Sequence, residues 1–103
     1  MKRVLSAAAA TLVLLLAGGV QADENLVKTN GCMACHGLDK KLLGPGFKEV
    51  ANKYRGTAGA EAALAKKIKE GGKGAWGDYV MPPQAHVKDA DIAAIVKWTM
   101  SLK

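Results

Sequence analysis

The chain has 103 residues, enough for one domain, and carries 15 basic against 9 acidic side chains, a formal net charge of +6. Half of its residues are hydrophobic, too many for a disordered chain, and two cysteines are too few for a disulfide scaffold. The apolar residues are unevenly placed, and their distribution is the first thing to explain.

Met1-Lys2-Arg3 form a short positive stretch, followed by an apolar run over residues 4–16 broken only by Ser6 and Thr11. Small residues follow, ending Val20-Gln21-Ala22. This is the order of a secretory signal peptide. The run is short for a bilayer span, which needs about 20 apolar residues, so a retained N-terminal anchor is the lesser alternative. The segment has no twin-arginine pair, and no cysteine follows it to carry a lipid. Cleavage is expected after Ala22, giving a signal at residues 1–22 and one domain at residues 23–103. That domain has 81 residues, and losing Lys2 and Arg3 leaves 13 basic against 9 acidic side chains. It is near the lower limit for a self-sufficient core. With at most one disulfide available, something else is expected to complete the core.

Residues 23–30 read as a first helix, with Asp23 and Glu24 at its start, where acids suit the helix dipole, and Leu26 and Val27 as its apolar side. Asn30-Gly31 favour its end. Residues 37–46 are a loop rich in Gly and Lys that ends Gly44-Pro45-Gly46. Residues 47–55 are predicted helical, with Phe47, Val50, Ala51 and Tyr54 at i, i+3, i+4 and i+7. A third helix spans residues 60–70, with Leu64 and Ile68 on one face, and Gly71-Gly72 stop it. Residues 71–77 form a glycine-rich loop, and Met81-Pro82-Pro83 follow. The last helix begins near Asp89, read as its N-cap, and buries Ile92, Ile95, Val96 and Thr99, with Trp98 and Leu102 on its flanks. No run alternates with period two for long enough to make a strand. The prediction is an all-α domain of about four helices, without internal repeat or second domain.

The chemistry is concentrated at Cys32-Met33-Ala34-Cys35-His36. This C-x-x-C-H sequence is the attachment signature of covalent haem c. Cysteines at i and i+3 lie on one side of a helical turn, where each thiol can form a thioether with one haem vinyl group, and the adjacent imidazole can reach the iron. Three readings compete. A disulfide between Cys32 and Cys35 would close a very small ring with little entropic gain. A thioredoxin-like pair needs a βαβ setting. A tetrahedral zinc site needs four ligands, and no second Cys or His pair has suitable spacing.

With His36 on one axial position, Met81 is the best candidate for the other. It lies 45 residues downstream, far enough for the chain to wrap to the opposite haem face, and Pro82 and Pro83 stiffen its segment. Met33 lies within the attachment turn, and Met100 falls in the helix-packing region. His86 is the rival ligand and would give a bis-histidine haem. A His/Met pair fills both axial sites and raises the reduction potential, which suits electron transfer. Lys73 in the glycine-rich loop does not make a P-loop, because Gly74 follows it where Ser or Thr is required.

Several further stretches accompany these residues: Gly44-Pro45, Tyr54, residues 58–62, Lys67-Ile68-Lys69, Gly74-Ala75-Trp76-Gly77, Met81-Pro82-Pro83 and Lys97-Trp98. Together they resemble the short-chain bacterial class I cytochromes c of the cytochrome c-551/c-552 (c8) group, over the whole of residues 23–103. The resemblance implies a small class I cytochrome c fold wrapped round one haem c, attached outside the cytoplasm, and hence a periplasmic location. It also implies that the Pro45 carbonyl accepts a hydrogen bond from His36 and that the Trp76 indole meets a haem propionate. Lys67 stands where some members have a propionate-binding Arg. Gln84 stands where many have Asn, whose amide contacts the methionine sulfur.

The expected function is a periplasmic single-electron carrier, monomeric and not membrane-spanning once mature, and not an enzyme. Its expected donor is a membrane cytochrome complex, and its expected acceptor a nitrite reductase, oxidase or peroxidase. The alternative is a small haem peroxidase or gas-binding domain with an open or weakly ligated distal site. The scattered lysines are expected to steer an acidic redox partner, and nucleic acid is not an expected partner of an exported protein.

Overall fold

In the computed structural model the described residues are 23–103, so the signal reading of residues 1–22 lies outside them. The first helix, α1 (Glu24–Thr29), starts where Asp23 Oδ1 accepts a hydrogen bond from the Leu26 amide at 2.9 Å. That bond satisfies an amide the helix itself cannot. After α1, Gly31 takes φ +78°, a left-handed conformation that suits glycine, and turns the chain into a 3-10 turn at Cys32–Ala34.

Helix α2 (Phe47–Tyr54) begins with the Glu49 carboxylate accepting from the Gly46 amide at 3.1 Å. Helix α3 (Ala60–Glu70) lies between Gly59 and Gly71, and α4 (Asp89–Ser101) closes the chain. The N-cap of α4 is Lys88, whose backbone is extended, and not Asp89 as the sequence reading has it. Asp89 is the first helical residue, where it and Asp91 meet the positive end of the helix dipole.

Helix α4 packs against α1, α2 and α3. The core joins Val27 of α1, Phe47 of α2 and Ile92, Ile95 and Val96 of α4 with Val87 from the segment before α4. Each such side chain, fully buried, is worth about 1.5–3 kcal/mol. Thr99 is buried as expected, and its hydroxyl donates to the Ile95 carbonyl at 2.8 Å, so its burial leaves no polar atom unpaired.

One expectation is corrected. The chain does form strands: β1 (Gly72–Gly74) and β2 (Gly77–Met81) make an antiparallel hairpin, pairing Gly72 with Met81 and Gly74 with Gly77, with an irregularity between the two pairs. The hairpin contributes no residue to the core. Without a buried face it has no apolar alternation to read in the sequence. The architecture remains an all-α fold of four helices, with this hairpin as a flap between α3 and α4 in the chain.

Candidate functional site

The 3-10 turn brings Cys32, Cys35 and His36 to one wall of a cleft of about 570 Å³, within the usual range for ligand sites. The His36 and Cys35 amides both donate to the Cys32 carbonyl, at 3.1 and 3.2 Å. The loop after His36 folds back onto this turn: the Gly44 amide donates to the Cys35 carbonyl at 2.8 Å and the Phe47 amide to the Gly37 carbonyl at 2.9 Å. Both cysteines are unpaired and half-buried. Burial pushes the Cys32 thiol above its ordinary range. A backbone hydrogen bond opposes this shift, and the neighbouring Cys35 adds to it.

His36 is fixed from several directions. Its Nδ1 lies 2.7 Å from the Pro45 carbonyl oxygen. A carbonyl can only accept, so Nδ1 carries the proton, and in the neutral ring Nε2 keeps the free lone pair that a metal would use. Gly44 lies against the ring, where a Cβ would come within 2.6 Å of Cε1 and 2.9 Å of Nδ1. Phe47 also packs against it, its ring centroid 5.2 Å from that of His36 and 5.1 Å from that of Trp98, edge-on to the indole. Phe47 therefore couples the imidazole to the core.

The cleft is also lined by the hairpin and the segment after it, including Trp76, Met81 and Gln84. Gly71 sits so close to this segment that a Cβ would lie 2.5 Å from the Met81 carbonyl oxygen. Met81 is half-buried in the same cleft as His36. The rival His86 is exposed and outside the cleft lining, with Nε2 3.4 Å from the Asn30 carbonyl oxygen. Met33 and Met100 pack against the core instead. Gln84 turns its amide onto its own segment, donating to the Pro82 carbonyl at 2.8 Å. Lys67 lines the cleft, as do Lys41 and Lys73.

Some lining residues escaped the sequence reading. Periodicity places Tyr54 on the apolar face of α2, and Ile95, Val96 and Thr99 on that of α4, yet all four also line the cleft. Apolar periodicity identifies a buried face, and it cannot tell protein neighbours from a cofactor. Among the described residues, no group of three or more His, Cys, Asp or Glu gathers to hold a metal ion, and no helix is long and apolar enough to cross a membrane.

The sequence profile of the Cytochrome c family matches residues 23–103. This chain belongs to the cytochrome c family. Cytochrome c-552 of Nitrosomonas europaea is 46% identical to it over 94 residues, covering 91% of each chain. Cytochrome c-551 of Pseudomonas aeruginosa is 50% identical over 91 residues, 86% of each. The crystal structure of wild-type Nitrosomonas europaea cytochrome c552 superposes with a TM-score of 0.76 at 44% identity, covering 79% of this chain and 100% of that one. The fold is that of a class I cytochrome c. As a small c-type cytochrome the protein is an electron carrier with one covalently attached haem c.

The cleft of this cytochrome c fits that group. Leu64, Ile68, Ile95 and Val96 supply apolar lining, two thiols stand three residues apart on its wall, and the His36 tautomer leaves Nε2 free. Gly44, with no room for a side chain, lets the backbone come close to the imidazole.

Proposed function

We propose that this electron carrier works in the periplasm as a soluble, monomeric one-electron shuttle, with Cys32 and Cys35 as the thioether residues and His36 and Met81 as the axial ligands. Haem supplies the Fe(III)/Fe(II) couple. The residues supply attachment, orientation and exclusion of other ligands. The observation that carries the reading is that His36 and Met81 line one cleft, while His86 lies outside it.

The Pro45 carbonyl holds the Nδ1 proton, which fixes the imidazole ring and makes Nε2 a better donor. The close approach of Gly71 to the Met81–Pro83 segment, with two prolines in succession, limits the freedom of the thioether. Trp76 on the cleft wall is suited to donate to a propionate, and Lys67 to add a positive charge there. With His36 and Met81 both holding the iron, no site would be left open to a substrate, and the protein would transfer electrons without transforming one. Its proposed donor is a membrane cytochrome complex, and its acceptor a nitrite reductase, oxidase or peroxidase. Residues 1–22 act as the export signal in this reading.

The test uses holoprotein purified from the periplasmic fraction. N-terminal sequencing is expected to begin at Asp23. The ferric protein at neutral pH is expected to show the weak red absorbance band of methionine–iron bonding, and the reduced protein to bind little or no carbon monoxide. Absence of the band together with ready carbon monoxide binding would overturn the Met81 assignment and the shuttle reading with it.

A further inference from the structure

The hairpin is the least anchored wall of the cleft. It contributes nothing to the apolar core, and four of the five positions of β2 are exposed. Its base is fixed, because Gly71 lies close against Met81, Pro82 and Pro83. Its tip is the two-residue loop Ala75-Trp76 between Gly74 and Gly77, both at φ +98°. Nothing lies within 4 Å of where a Cβ at either glycine would be. Two glycines in open space make the tip intrinsically free to move, yet Trp76 must keep its place on the cleft wall.

Across from the tip stands the last turn of α2. Lys53 Nζ lies 5.0 Å from the centroid of the Trp76 ring, inside the ~6 Å range of a cation–π contact. Among the described residues Lys53 forms no ion pair, whereas Lys28, Lys48, Lys66 and Lys69 each do. Helix α2 is itself held by buried Phe47, Val50 and Ala51, so Lys53 extends from a rigid base. A cation on the face of an indole also draws electron density from the ring, which makes the ring N–H a stronger donor.

We propose that Lys53 is a positioning residue of the haem site: its ammonium on the Trp76 ring tethers the hairpin tip to α2 and keeps Trp76 on the cleft wall. This rests on Trp76 being the haem-contacting wall residue proposed above. The tether needs a cation on a long stem, which Arg also provides and Met does not.

The test compares wild-type holoprotein with Lys53→Met, which keeps an apolar stem, and Lys53→Arg, which keeps the cation, all uniformly ¹⁵N-labelled and reduced. In Lys53→Met the amides of residues 72–81 are expected to exchange with solvent about two- to fivefold faster, the factor a surface cation–π contact corresponds to. The Trp76 indole N–H resonance is expected to move while that of Trp98 stays. Lys53→Arg is expected to restore both. Unchanged hairpin exchange in Lys53→Met, or an Arg variant that behaves like the Met variant, overturns the proposal. Failure of the Met81 assignment would show separately, as a missing red band in the wild-type ferric protein.

Discussion

His36 depends on neighbours of very different legibility. Pro45 follows from the resemblance, and the 2.7 Å contact of its carbonyl with Nδ1 is present. The role of Gly44 against the ring is not readable from sequence, because backbone hydrogen bonds fold loop 37–46 back, and such bonds leave no side-chain pattern. Gly44→Ala would place a methyl group 2.6 Å from His36 Cε1, on a ring that also packs against Phe47 and is held through Nδ1 by the Pro45 carbonyl. Such overpacking costs about 1–3 kcal/mol. Guanidinium unfolding of the oxidised holoprotein is expected to show a loss of that size and a displaced red band. A variant within 0.5 kcal/mol of wild type would mean that the imidazole has room to retreat.

Helices were the readable elements. Capping acids, 3.6-residue periodicity and terminal glycines locate all four to within a residue or so, and α3 has the bounds the sequence predicts. Helix α4 starts at Asp89 as the sequence predicts; only its cap differs, because Lys88, a poor capping residue, takes the cap position with Asp89 and Asp91 just behind it. The hairpin is not legible in the sequence: a strand of sequence Gly-Lys-Gly and a partner exposed over most of its length carry no hydrophobic signal. Links between elements are still less visible. Arg55, just past α2, donates through Nη1 to Asn52 Oδ1 at 2.9 Å and through Nη2 to the Leu102 carbonyl at 2.8 Å, tying the ends of α2 and α4 together. The partners are exposed, so Arg55→Ala is expected to remove about 1 kcal/mol and to speed carboxypeptidase release of Leu102 and Lys103. Release at the wild-type rate would show that the Leu102 carbonyl, at the cap of α4, does not depend on this guanidinium.

At the scale of the molecule, a small core and a large cleft share the same side chains: Phe47, Ile95 and Val96 belong to both. Without haem these residues face a void on one side, and voids of this kind destabilise in proportion to their size. The double variant Cys32→Ala/Cys35→Ala, which cannot form thioethers and is purified free of haem, is therefore expected to lack near-UV circular dichroism and a cooperative guanidinium transition. A sharp transition in haem-free protein would show the polypeptide core to be sufficient. Charge acts over longer distances. Lys41, Lys67 and Lys73 line the cleft with Glu49 as the acidic counterpart, so its mouth is positive. A positive mouth attracts an acidic redox partner before contact, which accelerates encounter more than it tightens the complex. Lys67 is set aside, because it is assigned to the propionate side of the site. Lys41→Glu/Lys73→Glu reverses two charges at the rim while leaving His36 and Met81 in place; the pairing of residue 41 with His36 is between backbones. Stopped-flow oxidation by an acidic partner at about 10 mM salt, where the Debye length is ~30 Å, is expected to slow at least tenfold. Near 1 M salt, where it is ~3 Å, mutant and wild-type rates should converge. A difference that persists at high salt would instead mean that these lysines act by direct contact within the electron-transfer complex.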